Sequence, residues 1–364
     1  MGGSRQEGAA TAAAAGLTSP RLAETMRVYR WIGLGLAFYV AAVWSLAWGL
    51  GVAYKVSLLN YLVLALQIYL IALVAGVLAR LGYVMAWRRP SRLLRHLAAD
   101  FGGHVFSAER LALALPVLVG MPVAMSVYSS AKRMIPDLVA YRFDVLFWQW
   151  DRWLHFGTDP WRLMQPLLGT PWLTSWLSLL YHQTWLALMI VIWIWQAWSI
   201  GRPRLRLQFL ITYLLVWIVL GNVGAVLLSS AGPPYYAEVT GLASPFVPLF
   251  DYLGAADGTH GVWAVTLQEM LWRNHTAGGT EIGTGISAMP SVHVATTVVF
   301  CLVAWRHGWP WRLAFTAYAA VVVVGSVQLG WHYAIDAYVS ILLTWLIWRG
   351  VGWTLRRHTR LDDG

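Results

Sequence analysis

Charge is scarce in this 364-residue chain: Asp, Glu, Lys and Arg together make up 12% of it, about half the share found in an ordinary soluble domain. That scarcity excludes a conventional water-soluble globule. Acidic residues are the rarer sign, 16 against 26 Lys and Arg. The resulting net charge of +10 does not call for nucleic acid, because membrane topology and anionic lipid headgroups account for it. Cysteine is nearly absent. With Cys301 alone, no intrachain disulfide is possible and the redox compartment stays open. No internal repeat is evident. A cleaved signal peptide is not expected either, since the first apolar run is too long for one and no cleavage site follows it.

What the chain has instead is 59% apolar residues, including 24 tryptophans. The fold class expected is an all-α membrane protein. Apolar stretches of about 20 residues with little or no charge, the length that crosses a bilayer, fall near 31–54, 56–79, 111–131, 172–198, 208–229, 288–305, 313–331 and 332–349. These read as eight transmembrane helices. The last two abut at Trp331/His332, where no loop is visible. Basic residues in short loops are retained on the cytoplasmic side. Strict alternation puts eighteen of them inside and seven outside, the seven being Lys55, Lys132, Arg133, Arg142, Arg152, Arg162 and Arg273. Both termini are therefore expected in the cytoplasm.

Residues 1–20 are rich in Ala, Gly and Ser without apolar periodicity and read as part of a disordered tail over 1–25. Two helices and an Arg-rich cytoplasmic loop follow to 107. Residues 108–355 form the expected six-helix catalytic core, interrupted by two outer segments. The first, 132–171, is amphipathic and expected in the interface; Asp137, Asp144 and Asp151 recur every seven residues and read as a solvated face. Their functional alternative is recognition of a hydroxyl-rich headgroup or a cation. The second, 230–287, carries Ala231-Gly-Pro-Pro-Tyr-Tyr236 and several glycines, as lids and binding loops do. Asn274-His275-Thr276 is a glycosylation sequon, which matters only in a eukaryotic source.

Two short motifs carry chemistry. Ser287-Ala-Met-Pro-Ser-Val-His-Val294 and Gln328-Leu-Gly-Trp-His-Tyr-Ala-Ile-Asp336 place His293, His332 and Asp336 beside long apolar runs, and alternation puts both histidines on the outer face. Ionisable groups at membrane depth are costly and mark function. Pro290 suits the first turn of a helix, so free N–H groups near Ser291 would face an anion beside His293. His332 and Asp336, four residues apart, share a helix face, and the carboxylate can orient the imidazole as the acid does in a serine-protease triad. A metal is the competing reading for two histidines and a carboxylate, but the rest of the site is built for phosphate. His182, alone in its span, reads as a packed interhelical hydrogen-bonder.

On these two motifs the chain resembles the type 2 phosphatidic acid phosphatase superfamily, whose patterns are KxxxxxxRP, PSGH and SRxxxxxHxxxD. It is most like the inositol phosphorylceramide synthase-like branch, through Met289-Pro-Ser-Val-His293, His332-Tyr-Ala-Ile-Asp336 and Gly232-Pro-Pro-Tyr-Tyr236. The likeness spans roughly 110–350. It implies a six-helix core, no metal or other cofactor, and a phosphohistidine intermediate. His332 would be the nucleophile, Asp336 its orienting acid and His293 the general acid. Three departures stand out: Val292 occupies the family's glycine, Ser326 the arginine expected six residues before His332, and no Arg-Pro follows Lys132 at the required spacing. Charge on a phosphoryl group must still be neutralised. Lys132, Arg133, Arg142 and Arg273 are the outer-face candidates, Lys132 first because it ends a core helix as the family's lysine does, and Ser291 joins them at the phosphate.

The expected function is transfer of a phosphoryl-linked headgroup between membrane lipids, or from a lipid to another acceptor, at the extracytoplasmic face. The partners are then a membrane phospholipid and a lipid or polar acceptor. Hydrolysis of a lipid phosphate shares the first step and is the alternative. A transporter or scramblase that keeps the motifs as a lipid-binding groove is a rival of another class. It would be marked by loss of a catalytic group, and none is lost.

Overall fold

A chain this apolar must satisfy its backbone within each crossing, because lipid offers no hydrogen bonds. The computed structural model describes residues 20–101, 106–279 and 283–363, and among them there are helices and turns but no strands. In order these are α1 (Pro20–Gly49), α2 (Asn60–Tyr83), α3 (Leu93–Asp100), α4 (Ala108–Arg133), α5 (Asp144–Leu154), α6 (Pro160–Leu168) and α7 (Pro171–Trp198). There follow α8 (Pro203–Leu227), α9 (Val247–His260), α10 (Trp263–Thr276), α11 (Val292–Ala304), α12 (Trp309–Gln328) and α13 (Ala334–His358).

Seven of the described helices, α1, α2, α4, α7, α8, α12 and α13, are long and apolar enough to cross a membrane. The chain is an integral membrane protein. The remaining expected crossing, 288–305, is shorter than its apolar run: α11 has 13 residues, about 20 Å at 1.5 Å per residue. It starts late because Ser291 is its N-cap, accepting a hydrogen bond from Val294 N at 3.4 Å. Pro290 thus lies before the helix, not in its first turn.

α11 is the centre of the bundle. Its residues are small, β-branched or apolar on every side, the composition of a helix that packs all round. Val294, Ala295, Thr296, Thr297, Val299, Phe300 and Val303 are all buried, against α7, α8, α12 and α13. By contrast no residue of α2 is buried, and its apolar surface faces outward. At the end of the bundle away from the histidines, Arg206 is 2% exposed; its guanidinium donates to the carbonyls of Leu113, Gln196 and Ala197 and ties α4, α7 and α8 together.

Several boundaries differ from the sequence expectation. Residues 20–25, assigned to the tail, already belong to α1; the rest of that tail lies outside the described residues. The basic loop to 107 contains α3. The outer segment 132–171 is broken into the short helix Ile135–Leu138, α5 and α6, and the 230–287 segment holds α9 and α10. The join between the last two spans falls at 329–333, where Gly330 takes φ +69° and the amides of Trp331 and His332 both donate to Ser326 O.

Candidate active site

The site begins at the first turn of α13, whose backbone N–H groups have no partner inside the helix. Two carboxylates supply them. Asp151, from α5, accepts from Ala334 N at 2.6 Å and Ile335 N at 2.8 Å. Asp336, in the helix itself, accepts from Tyr333 N at 3.2 Å through Oδ2. That same oxygen lies 3.1 Å from His332 Nδ1. The carboxylate therefore puts the imidazole proton on Nδ1 and leaves the lone pair on Nε2. Nε2 in turn faces Ser291 Oγ at 3.1 Å, so the hydroxyl donates to it. His332 stands in the turn between two spans, and burial first, then the Lys132 ammonium, hold its pKa below the ordinary imidazole value.

His293 is one residue into α11 and arrives beside His332 from the other motif. Both line a cavity of about 200 Å³ with Lys132, Ser129, Thr284 and Ser287, walled by Tyr61, Tyr128, Trp185 and Trp217. Gly221 makes this closeness possible: a Cβ there would lie 2.6 Å from the Tyr128 ring and 2.9 Å from Val292. The geometry joins a lone-pair nitrogen, a second imidazole, an ammonium and hydroxyls around a space the size of a small anion with a substituent. Such a set can bind a phosphoryl group and pass protons around it.

The four expected basic residues separate. Lys132 lines the cavity and forms no ion pair among the described residues. Arg133 is buried but turned away, donating to Lys55 O at 2.6 Å. Arg142 and Arg273 are exposed, the first lying over the Phe143 ring and the second bonding back to Glu269 O. Neither is among the cavity's lining residues. Ser326, at the arginine position of the family pattern, is fully buried and bonds Val323 O at 2.7 Å.

The aspartates overturn the solvated-face expectation. Asp144 and Asp151 are 1% and 3% exposed; only Asp137 stays near solvent, paired with Lys55 at 2.6 Å. Asp144 accepts from Ala231 N at 3.0 Å, Gly232 N at 2.8 Å and Tyr333 Oη at 2.9 Å. Burial raises the pKa of both carboxyls, that of Asp151 to about 7. The Gly-Pro-Pro loop is likewise a strut: Ser230 receives the amides of Ala288 and Met289, and a Cβ on Gly232 would sit 2.9 Å from Trp331 O. It braces one motif against the other.

Residues 146–349, more than half of the chain, match the family model of the PAP2 superfamily. The chain belongs to the PAP2 superfamily. No curated protein and no solved structure matches it. Membership supports an enzyme of phosphatase or phosphotransferase type. The matched region contains His293, His332, Asp336 and Arg273; Lys132, which completes the cavity, lies outside it.

Proposed function

We propose that this PAP2-superfamily enzyme transfers a phosphoryl-linked headgroup from a membrane lipid to a lipid or polar acceptor through a phosphohistidine on His332. The observation that carries the reading is the 3.1 Å contact of His332 Nδ1 with Asp336, which leaves Nε2 as the lone-pair nitrogen beside the cavity. The Ser291 hydroxyl releases Nε2 as substrate enters and turns to a phosphate oxygen. Nε2 then forms a bond to phosphorus while the bond to the leaving oxygen breaks. His293 gives that oxygen a proton, Asp336 stabilises the imidazolium, and Lys132 balances the charge spread over the phosphoryl oxygens. In the second half the acceptor hydroxyl loses its proton to His293 and attacks phosphorus, and His332 is released unchanged.

The PAP2 core supports both transfer and hydrolysis in the first step. The reading of transfer rests on Ser326 in place of the arginine, Val292 in place of the glycine, and the Gly-Pro-Pro strut, all of which lean toward the inositol phosphorylceramide synthase-like branch. The basic-residue bias supports an active site on the extracytoplasmic face with both termini inside. Radiolabelled phospholipids incubated with purified enzyme, with and without ceramide or diacylglycerol, test this. An acceptor-dependent labelled lipid is the expected product; release of the phosphate group to water at the same rate whatever acceptor is present would establish hydrolysis instead.

A further inference from the structure

His293 is held between two aromatic rings from a single helix. The Tyr181 ring lies 4.8 Å from the imidazole centroid at 10° between planes, and the Trp185 ring 4.0 Å away at 30°. Two rings stacked this closely on one small ring cannot share a face without touching each other. No Tyr181–Trp185 ring contact occurs among the described residues, so they take opposite faces. Both come from the π-helical stretch Leu180–Thr184 of α7 and the residue after it. A π-turn changes the angular spacing of side chains, and such turns recur at functional sites.

Neither ring is free to drift. Trp185 Nε1 donates at 3.1 Å to Thr296 Oγ1, and that hydroxyl donates to Val292 O at 2.8 Å, within the same turn of α11 that carries His293. Tyr181 is backed by the bare backbone of Gly325, where an added Cβ would come within 3.1 Å of the ring. The imidazole plane is thereby fixed beside the cavity that His293 lines.

The electrostatic setting gives the stack a second effect. Burial is the largest influence opposing a positive charge on His293, and His182, His332 and Lys132, as cations, oppose it further; the stacked Tyr181 phenol is the other titratable group against it. An aromatic face attracts a cation through its quadrupole, and here two faces do so. We propose that Tyr181 and Trp185 are positioning residues for His293, fixing its ring plane and favouring its protonated form so that it can deliver a proton to the leaving oxygen. This rests on the general-acid role given to His293 above.

The test compares kcat/KM for two phosphate esters of the same lipid-like tail, one with an aryl leaving group that needs no proton and one with an alkyl leaving group that does. Trp185→Leu and Tyr181→Leu should each lose on the order of 10-fold or more on the alkyl ester, and at most a few-fold on the aryl ester. A general acid works only while protonated, so activity falls as pH rises through its pKa. Removing cation stabilisation lowers that pKa, and the basic limb of the alkyl-ester profile should move to lower pH. Trp185→Phe and Tyr181→Phe keep a ring and should restore most of the rate and the limb.

Equal losses on both esters with an unmoved limb, or no loss on either, would overturn the proposal. His293→Ala separates the two levels. If that variant spares the aryl ester while the leucine variants do not discriminate, the general acid stands and the aromatic pair is only packing. If His293→Ala itself hits both esters alike, the general-acid reading and the proposal built on it fall together.

Discussion

Tyr333 Oη donates to Asp144 Oδ1 at 2.9 Å across 189 residues of sequence, so the residue after His332 is anchored to the amphipathic helix α5. The same carboxylate holds Ala231 and Gly232. One buried side chain therefore locks together the α13 turn, the Gly-Pro-Pro strut and α5.

Asp144→Ala should be among the most destabilising single changes outside the transmembrane helices. It leaves three buried donors without an acceptor, a cost of roughly 2–5 kcal/mol. Tyr333→Phe removes one of them and should cost about 1–2 kcal/mol. Thermal unfolding of detergent-solubilised protein reads the difference, and equal stability of Asp144→Ala and wild type would refute the anchor.

The second carboxylate gives a pH signature. Burial raises the Asp151 pKa from 3.8 to about 7, so between those values the folded state holds a proton that the unfolded state has lost. Its contribution to stability is present at low pH and declines as pH climbs from about 4 to about 7. Asp151→Asn cannot ionise and should flatten that part of the profile. A variant whose melting temperature tracks wild type across the whole window would count against a buried, proton-holding Asp151.

Lys132 and the exposed arginines should part company in kinetics. Lys132→Gln removes the cavity's ammonium and should lower kcat by on the order of 100-fold or more, the usual worth of a charge aimed at the transition state. Arg142→Gln and Arg273→Gln should stay within a few-fold, because neither lines the cavity. A large loss at Arg273 with little at Lys132 would reassign the phosphate partner.

How much of this was legible in the sequence depended on distance along the chain. His332 and Asp336 are legible as a pair from their four-residue spacing, although His332 stands in the turn before α13 and not on the helix that carries Asp336, and Lys132 because it ends a core helix as the family's lysine does. Asp144 and Asp151 read as a wet face in the sequence because their spacing fixes a shared face, while their partners are backbone amides at 231–232 and 334–335, which no local pattern reveals. The same holds for Tyr181 and Trp185, two aromatics among many in an apolar span until α11 is packed against them. Pro290 suits a first turn by its fixed φ, whereas in the structure Ser291 takes the capping position one residue later. Seven of the eight apolar runs fall on helices long and apolar enough to cross a membrane, but the interfacial helices between them depend on tertiary packing more than on hydropathy.

Orientation is testable without substrate. In a Cys301→Ala background, cysteine placed at the exposed Ala243 should react with an impermeant maleimide added to intact cells, and cysteine at the exposed Ser91 or Gly201 should not. The eighteen-to-seven bias in basic residues sets this expectation. Labelling at Ser91 and silence at Ala243 would turn the site to the cytoplasm.

The central claim is the covalent intermediate, and rapid quenching of the enzyme with a phosphate-labelled lipid substrate addresses it most directly. The wild type should carry label that is lost in acid and kept in base, as a phosphohistidine is, and Asp336→Asn should reach it slower by roughly 10³–10⁴-fold. His332→Ala should carry none and turn over no substrate. A His332→Ala enzyme that still becomes labelled, or that keeps near-wild-type turnover, would contradict the account.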